Sequence, residues 1–290
     1  MEFSKSGSAA NHVGRLWNLT LSVLVLTVLV PLTAWGQVKL TFKDHGKVIK
    51  ELTVDDLKGL TPLEKVQVHD ADEMNDVTYD VFSMGPILEK IYGKKQNGEE
   101  LLFTCLDGYQ PSIPLKNFKE RHAYLAVSRE GGDFAIVNKH EGGKRINVGP
   151  FYLVWEKADG IPHDEDAWPY QVTTVDLVSF ADTFPRLAPP PESSAQVVRG
   201  FLAFRKSCVG CHTLNGDGGK GGPELNYPVN VTEYYKLDWL KKWILAPQSI
   251  RYKTGMPGLE KSVHHREDVV DDIISYFQAM SKNKIKPKDL

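Results

Sequence analysis

At 290 residues, 41% hydrophobic, 25% charged and 10% aromatic, the chain has the composition of packed globular protein and the length of two domains. Its formal charge is -2, from 35 Lys and Arg against 37 Asp and Glu. The absence of a long basic or acidic block excludes a nucleic-acid-binding tail, so no nucleic-acid partner is expected.

Lys5 and Arg15 precede an uncharged apolar run over residues 19–30, then Pro31 and the small-residue pattern Ala34-Trp35-Gly36, as in a secretory signal. The run is short for a spanning helix. Leu16, Trp17 and residues 32–35 bring it toward the roughly 20 residues a bilayer requires. Residues 1–36 therefore read as a signal peptide or an N-terminal anchor. In both cases the remainder is exported, giving a periplasmic protein, free from Gln37 onward or held at the inner membrane.

From residue 37 strand and helix signals alternate, predicting an α+β domain over residues 37–184. Val38, Leu40 and Phe42 alternate ahead of the turn formers Asp44-His45-Gly46, and Thr53-Val54-Asp55-Asp56-Leu57 opens a helix. Val77, Tyr79 and Val81 form another strand pattern. Residues 84–93 read as a short helix closed by glycine, and residues 101–105 as an apolar strand. Two acidic clusters, His69-Asp70-Ala71-Asp72-Glu73 and His163-Asp164-Glu165-Asp166, do not match a calcium loop. In the first, Met74 stands where a third oxygen ligand is needed, and both are read as solvated loops.

The stretch Phe103-Thr104-Cys105-Leu106-Asp107-Gly108-Tyr109, followed by Ile113-Pro114-Leu115, resembles the molybdopterin-binding domain of sulfite-oxidase-like proteins. So do Gly149-Pro150-Phe151-Tyr152-Leu153-Val154-Trp155, Trp168-Pro169-Tyr170-Gln171-Val172 and a strand over residues 175–180. In catalytic members a cysteine at about the position of Cys105 ligates molybdenum, so the resemblance makes Cys105 a candidate ligand and molybdopterin a candidate cofactor. The sequence lacks the family's arginine-rich pterin contacts and the basic residue soon after the cysteine. The alternative is an inert core thiol, since free cysteine often behaves as a small hydrophobe.

In TFPRLAPPPESSA, residues 183–195, Pro185, Pro189, Pro190 and Pro191 favour an extended, stiff connection. A linker at 185–192 and a second domain at 193–290 follow. Residues 193–290 hold 15 Lys and Arg against 10 Asp and Glu, a charge of +5, whereas residues 37–192 hold 18 against 26, a charge of −8. A basic second domain either steers toward redox partner proteins with an acidic docking surface or docks on its own acidic neighbour.

Cys208-Val209-Gly210-Cys211-His212 is the C-x-x-C-H arrangement for covalent haem attachment. Two thiols one turn apart reach the two vinyl groups of one haem, and the next histidine lands beneath the iron. A disulfide redox pair and a zinc half-site are the competing uses of such a motif. A zinc site needs a second pair of soft ligands, and the remaining cysteine, Cys105, lies in the other domain.

Residues 195–285 resemble class I cytochromes c in several motifs taken in order, implying an all-α second domain. Gly200 and Phe204 sit on a first helix with Val197, Val198 and Phe201 at helical spacing and Ser193 or Ser194 as cap. Thr213-Leu214-Asn215-Gly216 leads into a glycine-rich loop ending Gly222-Pro223-Glu224-Leu225. The resemblance implies that the Pro223 carbonyl accepts the ring N–H of the proximal histidine, His212. The loop lacks the Gly-Lys-Ser/Thr ending of a phosphate loop. Asp238 can cap a short helix with Leu240, Trp243 and Ile244 on one face, stopped by Pro247. Tyr252-Lys253-Thr254-Gly255-Met256-Pro257-Gly258 matches the distal loop, implying Met256 on the iron. His264 and His265 offer a bis-histidine alternative, and Met256 would then fill core. Val269, Val270, Ile273, Ile274, Tyr276 and Phe277 make the closing amphipathic helix.

The expectation is a monohaem electron carrier of relatively positive potential, because a soft neutral sulfur favours ferrous iron, fused to a docking or haem-positioning domain without turnover of its own. Two further readings stand beside it: a molybdenum-dependent oxidoreductase with its own cytochrome acceptor, and a gas sensor whose iron loses Met256.

Overall fold

A computed structural model describes residues 38–93, 99–139, 142–156 and 166–288. The leader expected over residues 1–36 and the cluster residues 163–165 lie outside the described residues.

Alternation builds the first strands. β1 (Leu40–Asp44) and β2 (Lys47–Leu52) form a hairpin through His45 and Gly46, whose φ angles of 50° and 80° favour glycine at the second position. Thr53 caps α1 (Val54–Lys58) in a capping box with Asp56. β3 (Leu63–Asp70) pairs with β4 (Asn75–Ser83), and α2 (Met84–Tyr92) ends at Gly93 with φ 74°. β5 (Glu100–Cys105), β6 (Ser112–Pro114), α3 (Leu115–Glu120) and β7 (Ala123–Arg129) follow. The region closes with β8 (Ala135–Asn138), β9 (Lys144–Asn147), β10 (Tyr152–Trp155) and β11 (Val172–Val178).

One sheet runs β2-β1-β11-β5-β6, with β1 parallel to β11, and a second runs β10-β7-β4-β3. Leu40, Phe42, Leu101 and Phe103 from the first meet Val77, Tyr79, Leu125 and Leu153 from the second in one buried core. The expected α+β fold is the one found.

The cluster at residues 69–73 is not a solvated loop. Asp70 is fully buried and accepts from Tyr79 Oη (2.8 Å), Tyr152 Oη (3.0 Å) and the amides of Asp72 (3.0 Å) and Glu73 (2.8 Å). Glu73 is buried against Arg129, which donates at 2.7 and 3.0 Å. Burial works against the Glu73 carboxylate, but the Arg129 bonds and the Val137 amide outweigh it and hold its pKa below the ordinary value. These carboxylates are spent on tying loops to strands.

The second region is helical. α4 (Phe180–Thr183) leads to α5 (Ala195–Ser207), capped by Ser194, then α6 (Val231–Tyr234), α7 (Leu237–Leu245) and α8 (Arg266–Met280). α5 crosses α8 at Gly200, where any Cβ would overlap the Asp272 carbonyl. Phe204 packs there against Tyr276 and Phe277 at ring distances of 5.5 and 5.6 Å. The cap of α7 is Lys236, with Asp238 in its first turn. An acid there suits the helix dipole without capping an amide.

The proline-rich stretch is not a free tether. Phe184 and Leu187 are buried in the second core, and Tyr276 Oη donates to the Leu187 carbonyl at 2.7 Å. Val178 and Leu102 join that core, so residues 37–290 form one compact unit with two hydrophobic centres. Strand β5 explains the contact. Leu101, Phe103 and Cys105 point into the first core, while the alternate residues Glu100, Leu102 and Thr104 turn to the opposite face. There Glu100 pairs with Arg205 of α5, whose guanidinium lies 4.0 Å from the Phe180 ring centroid. Among the described residues no helix is long and apolar enough to cross a membrane.

Candidate functional site

The C-x-x-C-H motif occupies the turn that ends α5. Cys208 N donates to the Phe204 carbonyl at 2.8 Å as the last helical bond, and the amides of Cys211 (3.1 Å) and His212 (3.0 Å) both return to the Cys208 carbonyl. That turn brings both sulfurs and the imidazole into one short segment. No disulfide joins Cys208 to Cys211. Burial pushes the Cys208 thiol up to about 12, with Cys211 adding to it. A redox-active pair needs a depressed thiol pKa, so that use of the motif is disfavoured.

His212 is placed from two sides. Its Nδ1 lies 2.9 Å from the Pro223 carbonyl, which can only accept, so Nδ1 carries the proton and Nε2 keeps its lone pair for a metal. Burial lowers the imidazole pKa, with the Pro223 bond and Glu224 opposing it, and a neutral ring is what ligation requires. The ring lies on Gly222, where an added Cβ would sit 2.6 Å from His212 Cε1. Gly222 N donates to the Cys211 carbonyl at 2.6 Å. Gly219 is pressed against the Gly210 carbonyl with no room for a side chain. The glycine-rich loop is thus a cradle for the attachment turn, and this donor set and its backbone fit a covalent haem.

A buried amide ladder behind the cradle was not read from the sequence. Asn226 Nδ2 donates to Asn215 Oδ1 (2.8 Å) and the Met280 carbonyl (3.0 Å), and Asn230 Nδ2 to Asn226 Oδ1 (2.7 Å) and the Phe277 carbonyl (3.0 Å). Glu224 collects the amides of Asn215, Gly216, Asn226 and Tyr227 at 2.7–3.1 Å. The loop carrying Pro223 is thereby locked to the end of α8. The available signal was Glu224-Leu225-Asn226 with Asn230 four residues on, in a segment otherwise read only for Pro223.

Met256 is half-buried in the loop between α7 and α8. Leu259 N donates to the Ile244 carbonyl at 2.9 Å, and Arg266 Nη2 donates to the carbonyls of Leu245 (3.1 Å) and Leu259. His264 and His265 are exposed, the side chain of His265 by 85%.

Cys105 belongs elsewhere. It is buried in the first core, and burial raises its thiol well above the ordinary range, Asp107 and Cys211 adding to the effect. The following loop, which would have to open over a cofactor, is packed by Gly108 against the backbone of Lys220 and Gly221. A protonated thiol among hydrocarbon beneath a covered loop does not fit a molybdenum-pterin group.

The family model for cytochrome c matches residues 197–281, the segment from α5 to the end of α8. The C-terminal region is accordingly a cytochrome c domain, with the covalent haem and haem-based electron transfer which that implies.

Proposed function

We propose that this chain is an exported monohaem c-type cytochrome that passes single electrons to redox partner proteins and does not itself turn over a substrate. Cys208 and Cys211 would hold the haem by thioether bonds, with His212 and Met256 as ligands to its iron. When bound, the haem supplies a one-electron iron couple, which sulfur ligation moves toward positive potential. The protein's part is to hold and orient. Pro223 fixes the tautomer and rotation of His212, Gly222 lets its ring seat against the loop, and Arg266 ties down the loop carrying Met256. The observation that carries the reading is the 2.9 Å contact from His212 Nδ1 to the Pro223 carbonyl, which directs the lone pair of Nε2 to a metal beside Cys208 and Cys211.

The exposed His264 and His265 make Met256 the better sixth ligand. The N-terminal region retains a fold like that of sulfite-oxidase-like proteins and acts as a cofactor-free docking body. The +5 charge of residues 193–290 suits a partner with an acidic docking surface. Residues 1–36 would direct the chain to the periplasm, by cleavage or as an inner-membrane anchor.

Acid-acetone extraction of exported protein, with haem and molybdenum contents measured on the same sample, tests this. One haem per chain remaining with the polypeptide and no molybdenum is the expected result. Extractable pigment would overturn the attachment, and stoichiometric molybdenum would restore the oxidoreductase reading.

A further inference from the structure

The attachment turn is not shaped by its own domain alone. Gly210, between the two cysteines, faces Tyr109 of the N-terminal region so closely that an added Cβ would lie 2.6 Å from Tyr109 Cε2. The Gly210 carbonyl accepts from Gln110 N at 2.7 Å, and the Gly108 carbonyl accepts from Lys220 N at 2.9 Å. Two backbone bonds thus join the loop Asp107-Gly108-Tyr109-Gln110 to both halves of the cradle. Gly108 has φ 86°, and a Cβ there would stand 3.0 Å from the Lys220 backbone. Only glycine meets both demands.

The loop is rigid on its other side. Asp107 Oδ1 accepts from Tyr109 N at 2.9 Å, an Asx turn that fixes where the ring projects. The Tyr109 carbonyl accepts from Cys105 N at 3.0 Å, anchoring the loop to the end of β5. Gln110 Nε2 reaches Thr104 Oγ1 at 3.3 Å on the strand face turned toward the cytochrome domain.

We propose that Tyr109 is a positioning residue for the haem: its ring backs the Cys208–His212 turn at Gly210 and keeps water from the Cys211 side, so that the N-terminal region sets the potential of a cofactor bound in the other domain. The proposal rests on the reading that the C-terminal domain carries a covalent haem. Ferric iron bears one more positive charge than ferrous, so water admitted beside the attachment turn stabilises the ferric state and lowers the potential. The aromatic bulk does this work, and the phenol oxygen is not required.

The test uses the full-length exported holoprotein with Tyr109→Ala, Tyr109→Phe, Gly210→Ala and the Gly210→Ala/Tyr109→Ala pair, each followed by optical redox titration and haem content. Tyr109→Ala is expected to lower the midpoint potential well outside replicate scatter, and Tyr109→Phe to stay at the wild-type value. Gly210→Ala drives a methyl into the ring and should lose covalent haem, which the pair recovers. If Tyr109→Ala does not accumulate, Tyr109→Leu is expected to move the potential in the same direction by less. An unchanged potential in whichever small variant accumulates overturns the proposal, as does a pair no better loaded than Gly210→Ala alone. A wild-type protein without covalent haem would instead bring down the reading beneath it.

Discussion

The two sides of the proposed iron site are built to different standards. On the His212 side the imidazole is fixed by the Pro223 carbonyl, seated on Gly222 and backed by the ladder of Asn215, Asn226 and Asn230, each fully buried. On the Met256 side, Tyr252 is 83% exposed, an added Cβ at Gly255 would meet nothing within 4 Å, and the Met256 amide reaches Thr254 Oγ1 at 3.4 Å. That loop is secured at its downstream end, through Leu259 and Arg266. The difference teaches a division of labour. The chain presets the nitrogen ligand by backbone and buried amides, and leaves the sulfur ligand on a loop that can adjust. Damage to the first side should prevent assembly, and damage to the second should retune it.

Gly222→Ala breaks the comparison hardest. A methyl 2.6 Å from the imidazole must push the ring off its seat and away from Pro223, since the loop is held by the Gly222 N to Cys211 carbonyl bond. Overpacking of this kind costs about 1–3 kcal/mol, and the ligand geometry is lost with it. Exported protein should carry far less covalent haem than wild type, measured by haem stain against polypeptide. Full loading with an unaltered spectrum would show that the cradle is not what orients His212.

Asn226→Ala comes next. It removes one of two partners from each of Asn215 Oδ1, the Met280 carbonyl and Asn230 Nδ2, which keep Ile285 N, Asn283 N and the Phe277 carbonyl, at about 0.5–1.5 kcal/mol for each bond lost. Denaturant unfolding should show a loss of several kcal/mol while the haem that does attach keeps a normal spectrum. A loss below about 1 kcal/mol would mean that water replaces the amide and the ladder is not a lock.

How much of this was legible depends on how far apart the partners lie. Strands β1, β4 and β5 and helices α2, α5 and α8 declared themselves by local alternation or helical spacing, and the C-x-x-C-H motif is itself a local signal. Pro223 was placed by resemblance, and the His212 contact agrees with it. Asp70 and Glu73 were misread because their partners Tyr152 and Arg129 are 82 and 56 residues away, and nothing in an acidic run reveals a distant phenol or guanidinium. The asparagine ladder was missed for a related reason, since an amide reads as a turn former until both its neighbours are known. Residues 101–105 read only as an apolar strand, although an unbroken apolar run suits burial on both faces. It could not say that one side belongs to the cytochrome domain. Proline in residues 185–192 argued for an extended tether, yet Leu187 supplies both a buried side chain and the carbonyl for Tyr276.

Arg266→Ala gives the smallest effect and the sharpest test of the division between the two sides. The guanidinium donates to the Leu245 carbonyl at the end of α7 and to the Leu259 carbonyl three residues after Met256. Removing it frees the anchored end of the distal loop at a cost of about 1–3 kcal/mol for hydrogen bonds made by a charged donor. His212, Pro223 and the ladder are untouched, so haem content should stay at the wild-type level. The weak far-red absorption of sulfur bound to ferric iron should fade or become pH-sensitive as Met256 exchanges off, and the potential should fall with it. Arg266→Lys keeps the charge, but both bonds come from one nitrogen, Nη2, at the tip of the longer planar guanidinium, where the shorter lysine does not place its ammonium, and it should behave like the alanine variant. If the lysine variant restored the absorption, charge alone would be holding the loop. If haem content fell as far as in Gly222→Ala, the two sides would not be built differently at all.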